Sequence, residues 1–65
     1  MSNNVQDVIK NLDPATPVDE VIVDGEPEGV THFITVNDDV AYFRKNNNQI
    51  ELFELDEISS ITMPT

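Results

Sequence analysis

Between Val30 and Leu55 the chain repeats one device, a short run of alternating side chains followed by a polar turn. Val30, His32, Ile34 and Val36 alternate with Thr31, Phe33 and Thr35. After Asn37-Asp38-Asp39, the residues Val40, Tyr42 and Arg44 alternate with Ala41 and Phe43. After Asn46-Asn47-Asn48, Phe53 and Leu55 oppose Ile50 and Leu52. A period of two is the signature of an extended strand, because successive side chains point to opposite faces. Asn and Asp tolerate the left-handed backbone of tight turns, and short turns join antiparallel neighbours. The run therefore predicts a three-stranded antiparallel meander. Glu20-Val21-Ile22-Val23 predicts a further short strand joining it. Between the two, Asp24 to Gly29 holds both glycines and Pro27 and predicts a turn or loop.

The segment before these strands has a different period. Val5, Val8, Ile9 and Leu12 stand at i, i+3, i+4 and i+7, which is one face of a helix over 3–12. Asn3 or Asn4 can cap its start, with Gln6 in the capping-box position relative to Asn3. Asp7 suits the positive end of the helix dipole. Pro14 stops the helix, because the residue before a proline avoids helical backbone. A helix this short is marginal alone and must dock its apolar stripe on the chain's own sheet or on another copy. Asp13-Pro14-Ala15-Thr16-Pro17 reads as a stiff connector, extending to residue 19. At the other end, Ile58 and Ile61 are three apart, as in one helical or 3₁₀ turn after an Asp cap. Residues 60–63 read as a short final strand, stopped by Pro64. The expected class is α+β, a short N-terminal helix followed by a 3–5 stranded antiparallel meander, as a small curved sheet or barrel. The whole of 1–65 reads as one small domain, with helix 3–12, connector 13–19 and a β-rich body over 20–63.

Both faces of the predicted strands carry apolar side chains. One can pack on the helix, and the other needs sheet curling or a second subunit as cover. A chain of 65 residues also buries a small fraction of its surface. Small domains gain stability from disulfides, metals or oligomerisation. With no cysteine and one histidine, disulfides, thiolate metal sites and histidine-based zinc sites are excluded. Oligomerisation is the remaining device, as a homodimer or higher oligomer through Val5, Val8, Ile9 and Leu12.

Thirteen acids oppose Lys10, Arg44 and Lys45, for a formal net charge of −10. The acids are spread along the chain and do not form a detachable tail. Such a charge repels nucleic acid and anionic membranes and favours a basic protein surface. No apolar run approaches the roughly 20 residues of a membrane span, and residues 1–4 lack the features of a signal peptide. The absence of cysteine fits a cytoplasmic protein.

Catalytic patterns are weak. His32 would need a nucleophile such as Ser59, Ser60 or Thr62 together with an orienting acid, and no spacing supports that. Asp24-Gly25-Glu26-Pro27-Glu28-Gly29 overlaps the opening of a calcium loop, but the twelfth position is Thr35 where a bidentate Glu is required. No catalytic residue, metal or cofactor is expected. Tyr42, Phe43 and Phe53 read as core. The acids are the remaining candidate: Asp24, Glu26 and Glu28 alternate, Asp38 and Asp39 occupy a hairpin tip, and Glu51, Glu54, Asp56 and Glu57 follow the last meander strand. Together they can present a negative ridge that imitates nucleic-acid phosphates. The expectation is a non-enzymatic acidic binding protein, an inhibitor or regulator in the style of phage anti-defence proteins and DNA mimics, an analogy of class without a shared motif. It would occupy a basic surface of a nucleic-acid-handling protein. The alternative is a homo-oligomeric assembly module that encloses a small ligand between subunits.

Overall fold

The computed structural model describes residues 4–64; Asn3, weighed above as a cap, lies outside them. The elements are α1 (Asn4–Lys10), β1 (Glu20–Val23), β2 (Glu26–Asn37), β3 (Val40–Lys45), β4 (Ile50–Glu54), a 3₁₀ turn (Leu55–Glu57) and β5 (Ile58–Thr62). The fold is α+β, with five antiparallel strands in one open sheet of order β4-β3-β2-β1-β5.

β2 is longer than the sequence suggests. The loop expected over 24–29 is a tight turn at Asp24-Gly25 alone, with φ of 53° and 82°. Positive φ at both central residues is the turn that matches strand twist, and Asp-Gly is a preferred pair for it. Pairing thus resumes at Glu26, opposite Val23. Pro27 fits inside the strand because residues 26–29 pair with β1 and pairing with β3 begins only at Val30. At Gly29 a Cβ would stand 2.7 Å from the Asn46 side-chain nitrogen, the end of an exposed side chain that can move aside.

β2 also breaks the expected alternation. Its register with β3 slips between Val30 and His32 and again between Phe33 and Thr35. Each bulge adds one residue and returns a side chain to the other face. Val30 and Phe33, expected on opposite faces, are therefore both buried, while His32 and Ile34 stay half-buried. The bulges also increase twist where β2 passes from β1 to β3. The two halves of the sheet then enclose one core, in which Val21 and Ile58 join Phe33, Phe43, Phe53 and Leu55. Phe43 sits among the rings, edge-on to Phe33 at 5.6 Å and tilted to Phe53 at 6.0 Å. Tyr42 faces away from this cluster and is half-buried.

α1 closes the core in cis. Ile9 is fully buried, and Val5 and Leu12 pack partly buried against the cluster. The helix tightens at its end, where Asn11 and Leu12 donate to the carbonyls three residues back, and so it ends at Lys10 rather than at 12. The connector is stitched to β2 through Ala15 N–H to Phe33 O, Phe33 N–H to Thr16 O, Val18 N–H to Thr31 O and Val30 N–H to Asp19 O. Val18 is consequently part of the core. No helix among the described residues is long and apolar enough to cross a membrane.

Candidate functional site

The 3₁₀ turn organises the acidic surface. β4 ends at Glu54, and the buried side chains of Leu55 and Ile58, three apart, anchor the turn in the core. This is one step earlier than the Ile58/Ile61 pair expected to form it, and the turn has no side-chain cap. Asp56 and Glu57, between the anchors, are exposed. On one side the Leu55 amide donates to the Asp39 carbonyl at 2.8 Å, and on the other the Asp24 amide donates to the Glu57 carbonyl at 2.9 Å. The turn therefore ties the β2–β3 hairpin tip to the β1–β2 turn.

A continuous rim results, running through Asp38, Asp39, Glu54, Asp56, Glu57 and Asp24. All six are exposed, as is Glu26 next to the β1–β2 turn. Asp38 and Asp39 are held outward by a two-residue turn with φ of 51° and 62°. Part of the rim forms one wall of a groove of about 380 Å³, lined by Asp38, Asp39, Glu54, Leu55 and Asp56 with Gln6 and Lys10 of α1. Among the described residues Lys10 is the cation at this end, 4.0 Å from Asp39 with both side chains well exposed. A pair that open offsets little of the rim's charge.

Glu28 and Glu51 belong elsewhere. Lys45 lies between them, 3.9 Å from Glu28 and 3.4 Å from Glu51. All three are half-buried. They share the inner side of the sheet, since Glu28 pairs with buried Val21 and Glu51 with buried Phe43. Lys45 thus closes the core at the end away from the rim. Arg44 Nη1 donates to the Asn48 carbonyl at 3.0 Å.

The nine acids expected to contact a partner therefore divide into seven exposed carboxylates along one end and two held by Lys45. The partition was not legible in the sequence, because the two groups interleave along it. The Leu55/Ile58 spacing was the available signal for the turn. Nothing in the sequence pointed to Gln6 and Lys10 as the facing wall. Of the helical residues expected to mediate self-association, Ile9 is buried in the chain's own core, Val5 and Leu12 are partly buried against it, and Val8 remains exposed.

Among the described residues no three His, Asp or Glu side chains converge so as to hold a metal ion. The stretch 24–29 that overlaps a calcium loop is a tight turn leading straight into β2. His32 Nδ1 lies 3.1 Å from Thr31 Oγ1, and Ser59 Oγ donates to the Ile22 carbonyl. No family model, curated protein or solved structure matches this chain.

Proposed function

We propose that the chain is a non-enzymatic acidic binding protein that docks its rim on a basic protein surface, as an inhibitor or regulator of a nucleic-acid-handling protein. The observation that carries this is the pair of backbone hydrogen bonds that hold Asp24, Asp38, Asp39, Glu54, Asp56 and Glu57 along one end. Carboxylates carried on hydrogen-bonded turns are preorganised, so less conformational freedom is lost on binding than from a flexible acidic tail. Their field steers a basic partner and is screened by salt. A surface that accepts phosphates can accept such a row in their place.

The test is capture on immobilised protein from cell extract, with stepped salt elution and double-stranded DNA as competitor. The expected result is a basic protein that elutes as salt rises, is displaced by DNA and is not retained when the rim is neutralised by D38N, D39N, D56N and E57Q together. Equal retention by that variant, or indifference to DNA, would sink the proposal.

A further inference from the structure

The two edges of the open sheet differ. β5 has α1 packed against it, whereas β4 ends the sheet and, among the described residues, has β3 as its one hydrogen-bonded neighbour. The direction of β4's free backbone groups follows from the ladder. Lys45 N–H donates to Gln49 O and Leu55 N–H to Asp39 O, so in this register the odd residues 49, 51, 53 and 55 bond to β3. The N–H and C=O groups of Ile50, Leu52 and Glu54 then point away from the sheet. Ile50 and Leu52 also carry side chains that are each 50% exposed. An unpaired edge with two exposed aliphatic side chains is a template for another strand.

From this edge we infer that β4 pairs antiparallel with β4 of a second copy, about a twofold axis at Leu52. The charge layout selects this occupant and direction. Arg44 lies beside Ile50 in the register, and Glu54 stands at the opposite end of β4. With Leu52 opposite Leu52 of the second copy, each Ile50 meets Glu54 of the other chain. Each Arg44 is then two strand spacings, about 10 Å, from that Glu54, within joint reach of two long side chains. A parallel copy in register would set Glu54 level with Glu54 and place Ile50, not a carboxylate, across β4 from each Arg44. Glu51 does not obstruct the edge, because Lys45 holds it on the inner side. The interface shares Glu54 with the rim, and it differs from the helical stripe, whose Ile9 is buried in cis.

Each copy carries −10, and its longest extent is 34 Å. Two copies lie within one screening length of about 30 Å at 0.01 M salt, and several lengths apart at 1 M, where it is about 3 Å. Uncompensated repulsion outweighs two exposed Arg–Glu pairs. Self-pairing therefore strengthens with salt, opposite in sign to binding of a basic partner.

The experiment is light scattering coupled to chromatography of the full chain, from about 10 µM to about 1 mM, the range of small and weak interfaces. It is run in low and high salt, with amide hydrogen exchange alongside. The expected mass approaches twice the 7.3 kDa of one chain as concentration and salt rise. The amides of Ile50, Leu52 and Glu54 gain protection together with it. Leu52→Lys, which sets like charges opposite each other on the axis, should lower dimer formation at least tenfold, and Val8→Lys should leave it unchanged. A chain monomeric throughout overturns the inference. So does a dimer that tolerates Leu52→Lys, or protection of these amides only when a different protein is added.

Discussion

The amide of Asp24 donates to the carbonyl of Glu57, 2.9 Å away across 33 positions of sequence. With its counterpart, Leu55 to Asp39, it makes three separate acidic stretches into one surface. The carbonyl of Glu57 is positioned by buried Leu55 and Ile58 on either side of the turn, so the rim depends on the core. Replacing Leu55 by Ala is expected to cost about 2–5 kcal/mol, the range for deleting a buried leucine side chain. In a domain this small that approaches total stability. The rim should loosen first, seen as faster hydrogen exchange at the Asp24 and Leu55 amides than at the amides of β3. Retained protection at both would show that the turn is held by something other than its anchor.

The β2–β3 tip places acids where the backbone prefers other residues. Asp38 and Asp39 both take positive φ, for which Asn-Gly is the favoured pair. The double change Asp38→Asn, Asp39→Gly should raise stability by about 0.5–1 kcal/mol in urea denaturation, through relief of left-handed backbone strain. It should also weaken rim binding, because two carboxylates leave the surface. More stable and less active together would fit acids kept for binding; a loss of stability would show that the tip's conformation does not limit the fold.

Lys45 is expected to matter for folding rather than for recognition. Its partners Glu28 and Glu51 are half-buried, so Lys45→Met removes attraction and leaves two like charges facing each other. Allowing for solvent screening, the cost is about 1 kcal/mol at low salt and less at high salt. Parallel urea titrations at both salts check this, and an equal loss at each would show that the ion pairs are not its source.

The strands and turns were legible because alternation and Asn/Asp/Gly chemistry are local signals. β1 and β3 match their expected spans and β4 ends one residue early, whereas β5 begins at Ile58, where a turn was expected before a strand over 60–63. What escaped was non-local. The bulges that bring Val30 and Phe33 to one face insert residues without leaving a mark in composition. Pro27 and Gly29 read as loop punctuation, although both lie in the part of β2 that pairs with β1 before pairing with β3 begins. The candidate site divided in the same way. That acids dominate the surface follows from counting. That Glu28 and Glu51 face Lys45 while Asp24, Asp56 and Glu57 meet at one end depends on the sheet order and on two backbone hydrogen bonds.

Rim binding is tested most directly by the salt dependence of affinity for the captured partner, measured calorimetrically on matched charge variants. One variant neutralises the rim at Asp38, Asp39, Asp56 and Glu57, and the other carries E28Q and E51Q. The rim variant is expected to bind at least tenfold more weakly, with a flatter dependence of log Kd on log salt, as each lost carboxylate removes one screened contact. The Glu28/Glu51 variant should bind within about threefold of the parent, since contacts outside the central patch contribute little. Equal weakening by both variants, or an unchanged salt slope for the rim variant, would contradict the rim as the binding surface.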